Sequence, residues 1–279
     1  MRRRRADPEA ARVLGAACGV GAAAAQILID RDLGDPPEAI EFLEARLSGL
    51  TDPSSMLDRD AAAERIAAGI RREERIVVFG DYDVDGTTSA VILADGIEAL
   101  GGRVEILCAN RFEGGYGLSG PGLARCLELR PALLITCDCG SSDHERIAQA
   151  NARGVDVVVV DHHLVPDEPL PALAFINPHR PECAFAYKGM SSAGLAFSLV
   201  AALRRRLGAR LEMRRYLDLV ALGTVADVAP LDGDNRRLVR AGLQRLSSGA
   251  SRPGVQALLE LARIGARAPI GGQDIAFRL

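Results

Sequence analysis

Acidic side chains recur at alternate positions in Asp81-Tyr82-Asp83-Val84-Asp85-Gly86, and again in Cys137-Asp138-Cys139-Gly140 and Asp161-His162-His163. Each cluster comes directly after a short apolar run rich in β-branched residues: 75–79, 132–136 and 155–160. In an open parallel sheet the carboxyl ends of all strands lie along one edge, where ligands bind. Three clusters far apart in sequence are therefore expected to converge. Two carboxylates about 4 Å apart repel by roughly 4 kcal/mol at an effective dielectric of about 20, so the group must protonate or hold a cation. Hard oxygen donors favour Mg²⁺ or Mn²⁺, and an imidazole among them tilts the choice to Mn²⁺. Two such ions sharing a carboxylate are a common device for phosphoester hydrolysis, so a pair of ions is expected.

Each cluster has a plainer reading. Asp81, Asp83 and Asp85 could form a polar turn capping a helix that starts at Thr87, although three carboxylates exceed what one cap uses. An EF-hand also opens with alternating aspartates, but this loop lacks the later acidic ligand and runs into an apolar helix. Asp138 alone reads equally as a strand-end turn, and His162 and His163 as a surface pair. Asp227, interrupting the apolar run Leu222-Gly223-Thr224-Val225-Ala226, either caps a helix or joins the ligands. Ser191 and Ser192, in Gly189-Met190-Ser191-Ser192-Ala193-Gly194, precede an apolar helix, whose start either binds an anion or carries an ordinary serine cap.

The elements that must position these residues can be read from periodicity. Strands are expected at 75–79, 104–108, 132–136 and 155–160, alternating with helices at 87–100, 121–129 and 142–153. That alternation predicts an α/β fold, a parallel β-sheet flanked by helices, with strands buried on both faces. Helical segments are expected before it (8–29, 37–48, 59–72) and after it (193–206, 212–225, 235–247, 253–263), with a proline-rich connector over 166–181. The expected organisation is a helical segment over 1–72, an α/β domain over 73–230 and a helical extension over 231–279.

The 279 residues carry 34 basic and 37 acidic side chains, a formal charge of −3, with 48% hydrophobic residues. This excludes a disordered chain and argues against a bulk basic field. All the basic residues but Lys188 are arginine. The six cysteines form no Cys-x-x-Cys pair and are expected to be reduced, in a cytoplasmic protein. Arg2 to Arg5 imitate a secretory leader, but Asp7, Glu9 and Arg12 interrupt the adjoining alanine-rich stretch. No run of about 18 uncharged apolar residues occurs, so no membrane span is expected.

Together these residues resemble the DHH phosphoesterase superfamily, and in their longer stretches its single-strand-specific exonuclease branch. Val78 to Gly86 is similar to the first motif, Asp138 to the second, Asp161-His162-His163 to the third and Leu217 to Asp227 to the fourth. Further likeness runs through Asn110 to Gly117, Ile176-Asn177-Pro178 and Asp232 to Arg236, so that it covers about residues 45–279. The resemblance implies one ion held by Asp81, Asp83 and Asp138. A second would be held by Asp85, Asp138, His162 and Asp227, with Asp138 bridging. His163 would act beside them as a catalytic residue, touching the phosphate or orienting the nucleophile.

The resemblance also implies stepwise 5′→3′ removal of nucleotides from single-stranded DNA in repair and recombination. The expected protein is monomeric, with helicase or single-strand-binding-protein partners. Arg111, Arg236, Ser191 and Ser192 would meet phosphates, and Tyr116 and Phe112 would stack on bases. The alternatives are a relative acting on short oligonucleotides, cyclic dinucleotides or small phosphate compounds, and a silent DNA-binding scaffold. Two departures stand out. The usual Asp-Asn-Gly of the second motif reads Asp138-Cys139-Gly140, which implies an altered hydrogen bond and an oxidisable thiol beside the ions. The family pattern also continues past the end of this sequence into further domains, which implies a fragment or a truncated relative.

Overall fold

A computed structural model describes residues 7–265 and 269–279, so Arg2 to Arg5 lie outside the described residues. The chain divides into two compact units, 1–50 and 51–279. In the first, α1 (Pro8–Cys18), α2 (Ala22–Asp30) and α3 (Pro36–Glu44) share a small core of Ala11, Leu14, Ala25, Leu28 and Ala39. The single helix expected over 8–29 is broken. Gly19 is left-handed (φ 65°), a conformation that stops α1, and α2 leaves at 105° to it. The helix expected over 37–48 ends at Glu44, where Ala45 is left-handed (φ 40°), and one 3₁₀ turn comes next at Leu47–Gly49. Among the described residues no single helix is long and apolar enough to cross a membrane.

The second unit is built on five parallel strands: β1 (Arg75–Gly80), β2 (Arg103–Cys108), β3 (Leu133–Cys137), β4 (Asp156–Val160) and β5 (Ala174–Ile176). Their order is β2-β1-β3-β4-β5, so the connections reverse direction beside β1. The register pairs Gly80 with Cys137, Cys137 with Val160, and Val160 with Ile176. The residue after each strand continues the ladder: Asp81 N–H donates to Cys137 O, Asp138 N–H to Val160 O, and Asp161 N–H to Ile176 O, all at 2.9–3.1 Å. The three acidic clusters thus leave the sheet side by side along one edge.

Val77 and Phe79 of β1, Leu134 of β3 and Val157 and Val159 of β4 point to one face. There they form a core with Leu123 and Cys126 of α6 (Gly120–Glu128) and Ile147 and Ala150 of α7 (His144–Asn151). The opposite face is covered by α4 (Arg59–Arg71), α5 (Val84–Ala99) and α8 (Ser192–Arg206), and α9 (Leu217–Ala226) packs on α5 and α8. Helices α10 (Gly233–Ser247), α11 (Pro253–Leu261) and α12 (Gly272–Arg278) complete the unit.

The structure bears out the parallel sheet with flanking helices and differs in detail. The expectation of strands buried on both faces fails for β2. It is an edge strand with Arg103, Glu105 and Ile106 exposed, because nothing pairs with its outer side among the described residues. Within the proline-rich connector lies β5, whose three residues are too short to show a period. The helix expected over 212–225 is a 3₁₀ turn (Met213–Tyr216) and then α9, and α12 has no counterpart among the expected elements. Helix α4, assigned from sequence to the segment before the α/β domain, packs on α8 and β5 inside the second unit.

Candidate metal centre

Helix α5 begins at Val84, three residues earlier than the sequence suggests, and this splits the first acidic cluster. Asp83 is its N-cap: the exposed carboxylate accepts from Gly86 N–H at 2.8 Å. Asp85, in the first turn, is turned inward and fully buried. Its Oδ2 accepts from Ser192 N–H at 2.8 Å and its Oδ1 from Ala193 N–H at 3.0 Å, both at the start of α8. Asp81, also buried, accepts from Gly117 N–H at 3.2 Å. The close approach of strand and helix needs Gly86, where a Cβ would sit 2.6 Å from Asp81 O.

Asp138 stands at the end of β3 with φ 63°, a left-handed backbone that costs a non-glycine residue on the order of 1 kcal/mol. Its Oδ1 accepts from Ser192 Oγ at 2.9 Å, while its buried Oδ2 has no hydrogen-bond partner. His162 Nε2 lies 3.2 Å from Asp138 Oδ1, and 3.8 Å from both Asp85 Oδ2 and Asp227 Oδ2, yet it too is buried without a hydrogen bond. Asp227 is the C-cap of α9. Two overlapping sets of ligand atoms result: Asp85, His162 and Asp227, and Asp138, His162 and His163, each within 4.8 Å of one another. Asp81 and Asp83 fall outside both sets, although the Asp83 charge raises the pKa of Asp138 and Asp227.

The electrostatics of this cluster reflect burial and like charge. Burial first, then the Asp138 carboxylate, push Asp85 up to about 8. Burial raises Asp138 to about 6 against the pull of His162. Burial also raises Asp227. His162 is held charged, up to about 9: burial opposes the charge, but Asp138, Asp85 and Asp227 outweigh it. Two orphaned buried atoms among carboxylates whose burial disfavours their charge are what a cation-binding site shows. This donor set of carboxylate oxygens with imidazole nitrogen fits Mn²⁺ or Mg²⁺.

Asp161 does a different job. Its buried carboxylate accepts from His162 N–H (2.8 Å), His163 N–H (3.2 Å), Ser141 N–H (3.0 Å) and His163 Nδ1 (2.7 Å). Burial raises its pKa, but these donors outweigh burial and bring it down to about 2. The Asp161 hydrogen bond in turn raises His163. With Nδ1 engaged, His163 has its other ring nitrogen for a ligand, and its side chain is 42% exposed. Asn177, just past β5, donates to Ser141 Oγ (3.1 Å) and His163 O (2.9 Å) and locks the same turn. Its only sequence signal is its place in the Ile176-Asn177-Pro178 likeness.

The other expected contacts divide. Tyr116 Oη donates to Asp138 O (3.2 Å), lies 3.0 Å from His163 Nδ1 and meets that ring edge-on. Phe112 is 92% exposed, and the Arg111 guanidinium sits 4.8 Å from the centre of the Tyr82 ring. Ser191 and Ser192, expected to meet phosphates, are fully buried. Ser191 Oγ caps α8 through Gly194 N–H and bonds Thr224 Oγ1 at 2.8 Å, and Ser192 Oγ is given to Asp138. Arg236 lines a cavity of about 740 Å³ with Leu231, Val239, Leu243 and Ile270. Cys139 is corrected as well. Its thiol is buried in the core under α6 and α7, and burial pushes its pKa far up, so it is a packing group rather than an oxidisable neighbour of the site.

Known proteins are similar to this chain in sequence and fold. The single-stranded-DNA-specific exonuclease RecJ of Dickeya dadantii (strain 3937) is 42% identical over 252 residues, covering 86% of this chain and 43% of that protein. A crystal structure of RecJ with Mn²⁺ from Thermus thermophilus aligns with a TM-score of 0.78 at 32% identity, over 98% of this chain and 38% of that one. A crystal structure of exonuclease RecJ bound to manganese aligns with a TM-score of 0.72 at 36% identity, over 80% of this chain and 55% of that one. The chain thus spans less than half the length of the curated relative. Residues 75–224, which run from the first strand through the site to the helix that ends beside Asp227, match the DHH family N-terminal domain; with more than half its length in that match, the chain belongs to the DHH family.

Proposed function

We propose that this chain is the catalytic region of a divalent-metal-dependent phosphodiesterase that removes nucleotides stepwise, 5′→3′, from single-stranded DNA. The observation that carries the metal dependence is the pair of buried atoms without partners, Asp138 Oδ2 and His162 Nε2, within one acidic cluster. The substrate rests on the relatives named as single-stranded-DNA-specific exonucleases, which match about 85% of this chain.

Asp85, Asp138, His162 and Asp227 would hold one ion, and Asp138 with Asp81 and Asp83 the other. When bound, such ions supply Lewis acidity towards a phosphodiester and lower the cost of forming a hydroxide nucleophile. The protein's own groups do the rest. Asp161 orients His163 and raises its pKa, so that its other ring nitrogen meets a phosphate oxygen. Tyr116, fixed against the Asp138 carbonyl, walls the same side. Phe112, almost fully exposed, offers a stacking face for a base, while Arg111 beside Tyr82 meets the phosphate backbone.

The test is release of mononucleotides from long single strands labelled at either end, with Mn²⁺ or Mg²⁺, compared with dinucleotide substrates. The expected result is metal-dependent release from the 5′ end that Asp138→Ala reduces by about a hundred- to a thousandfold, on the scale of removing a central electrostatic group. Equal release by Asp138→Ala, or preference for dinucleotides, contradicts it.

A further inference from the structure

Two adjacent serines open α8, both fully buried, and they serve different ends. Ser191 Oγ is used within the helix start and on Thr224. The backbone and side chain of Ser192 reach two different carboxylates of the cluster. Its N–H donates to Asp85 Oδ2 at 2.8 Å, and its Oγ donates to Asp138 Oδ1 at 2.9 Å. Asp138 is 1% exposed, and the Ser192 hydroxyl makes the hydrogen bond that its carboxyl accepts. The hydroxyl occupies Oδ1 and leaves Oδ2 as the buried oxygen without a partner.

The geometry points to Ser192 as a positioning residue for the metal centre, one that fixes the rotation of Asp138 and reserves Oδ2 for the cation. This rests on the reading that Asp138 ligates a divalent ion. A hydroxyl that orients a ligating carboxylate typically changes metal affinity about 10–100-fold when removed. Ser192→Ala removes only the hydroxyl and keeps the N–H that holds Asp85, so the start of α8 retains its bonds to that carboxyl. Ser191→Ala removes a neighbouring buried hydroxyl of the same type from the helix cap instead.

The experiment titrates Mn²⁺ alone into the unmodified chain, Ser192→Ala, Ser192→Thr and Ser191→Ala, by calorimetry and by Mn²⁺ electron paramagnetic resonance, with thermal unfolding recorded for each. The expected result is a loss of Mn²⁺ affinity of about 10–100-fold in Ser192→Ala, restored towards the parent in Ser192→Thr. Ser191→Ala should have a lower unfolding midpoint, with Mn²⁺ affinity close to that of the parent. If the unmodified chain binds Mn²⁺ and Ser192→Ala binds it equally, the positioning role is overturned while the metal site stands. If the unmodified chain binds no Mn²⁺, the metal reading itself fails. A Ser192→Ala chain that does not fold would also overturn the assignment, since it would make the serine a structural group.

Discussion

Gly223 lies on α9 one turn before Asp227, with its Cα facing the buried start of α5. A Cβ there would sit 2.5 Å from Asp85 Oδ1, 2.5 Å from Thr88 Oγ1 and 2.9 Å from Ala193 Cβ. None of these can step aside easily. Asp85 is held by two backbone N–H groups of α8, and Thr88 Oγ1 donates to Val84 O at 2.7 Å. Gly223→Ala must therefore push α9 off α5 and α8 or strip Asp85 of its donors. Overpacking costs about 1–3 kcal/mol, and a lost hydrogen bond to a carboxylate about 1.5–3 kcal/mol. The helix-propensity gain of alanine over glycine offsets about 1 kcal/mol. The net expectation is a loss of about 2 kcal/mol, read as a fall of roughly 4–8 °C in the unfolding midpoint. Because Asp85 and Asp227 flank the substitution, Mn²⁺ affinity should fall by about tenfold or more, as for other losses of ligand support. Differential scanning calorimetry and Mn²⁺ titration measure both. A Gly223→Ala chain that is as stable as its parent, with unchanged Mn²⁺ affinity, would refute the reasoning, since an open helix face would tolerate the substitution in that way.

Two further outcomes come from charge. The Asp161 carboxylate is pulled down to about 2 in the folded chain from an ordinary value of 3.8, so the stability it contributes is complete above about 4 and is lost as pH falls towards 2. Urea unfolding between about pH 5 and 2 should therefore lose part of its slope in Asp161→Asn, which should also lower the pKa of His163 by nuclear magnetic resonance; parallel pH curves would count against the clamp. Asp85 and Asp138, raised to about 8 and about 6, hold protons that a cation must displace. Calorimetry in buffers of different ionisation enthalpy should show more proton release on Mn²⁺ binding at about pH 6.5 than at about pH 9, and release independent of pH would contradict the coupled cluster.

The sheet and the convergence of its acidic ends are legible in the sequence because both depend on local signals. Short apolar strands end in aspartates, and parallel pairing puts strand ends together. The features that escape such a reading depend on tertiary packing. The start of α5 at Val84 instead of Thr87 decides that Asp83 caps while Asp85 turns inward, and the N–H groups of α8 that hold Asp85 lie 107 and 108 residues away. At the same helix start Ser191 and Ser192 are buried partners of the protein's own groups. The helix start is visible there in the sequence, but the anion it serves belongs to the chain. Strand β5 is hidden because three residues show no period, and with it the clamp formed by Asn177. Likeness alone points Arg236 to the site, and on α10 it lines a cavity with Leu231 and Ile270. Cys139 lies just past the end of β3, where the left-handed turn at Asp138 breaks the strand period, and its thiol packs in the core under α6 and α7.

The central claim, that carboxylates and an imidazole from the start of α5 and the ends of β1, β3, β4 and α9 share divalent ions, is tested most directly by diffraction from crystals grown with Mn²⁺, with data collected at the manganese absorption edge. The account predicts anomalous peaks within coordination distance, about 2.0–2.3 Å, of Asp138 Oδ2 and His162 Nε2. Peaks confined to other parts of the surface, or none at a Mn²⁺ concentration that supports activity, would contradict it.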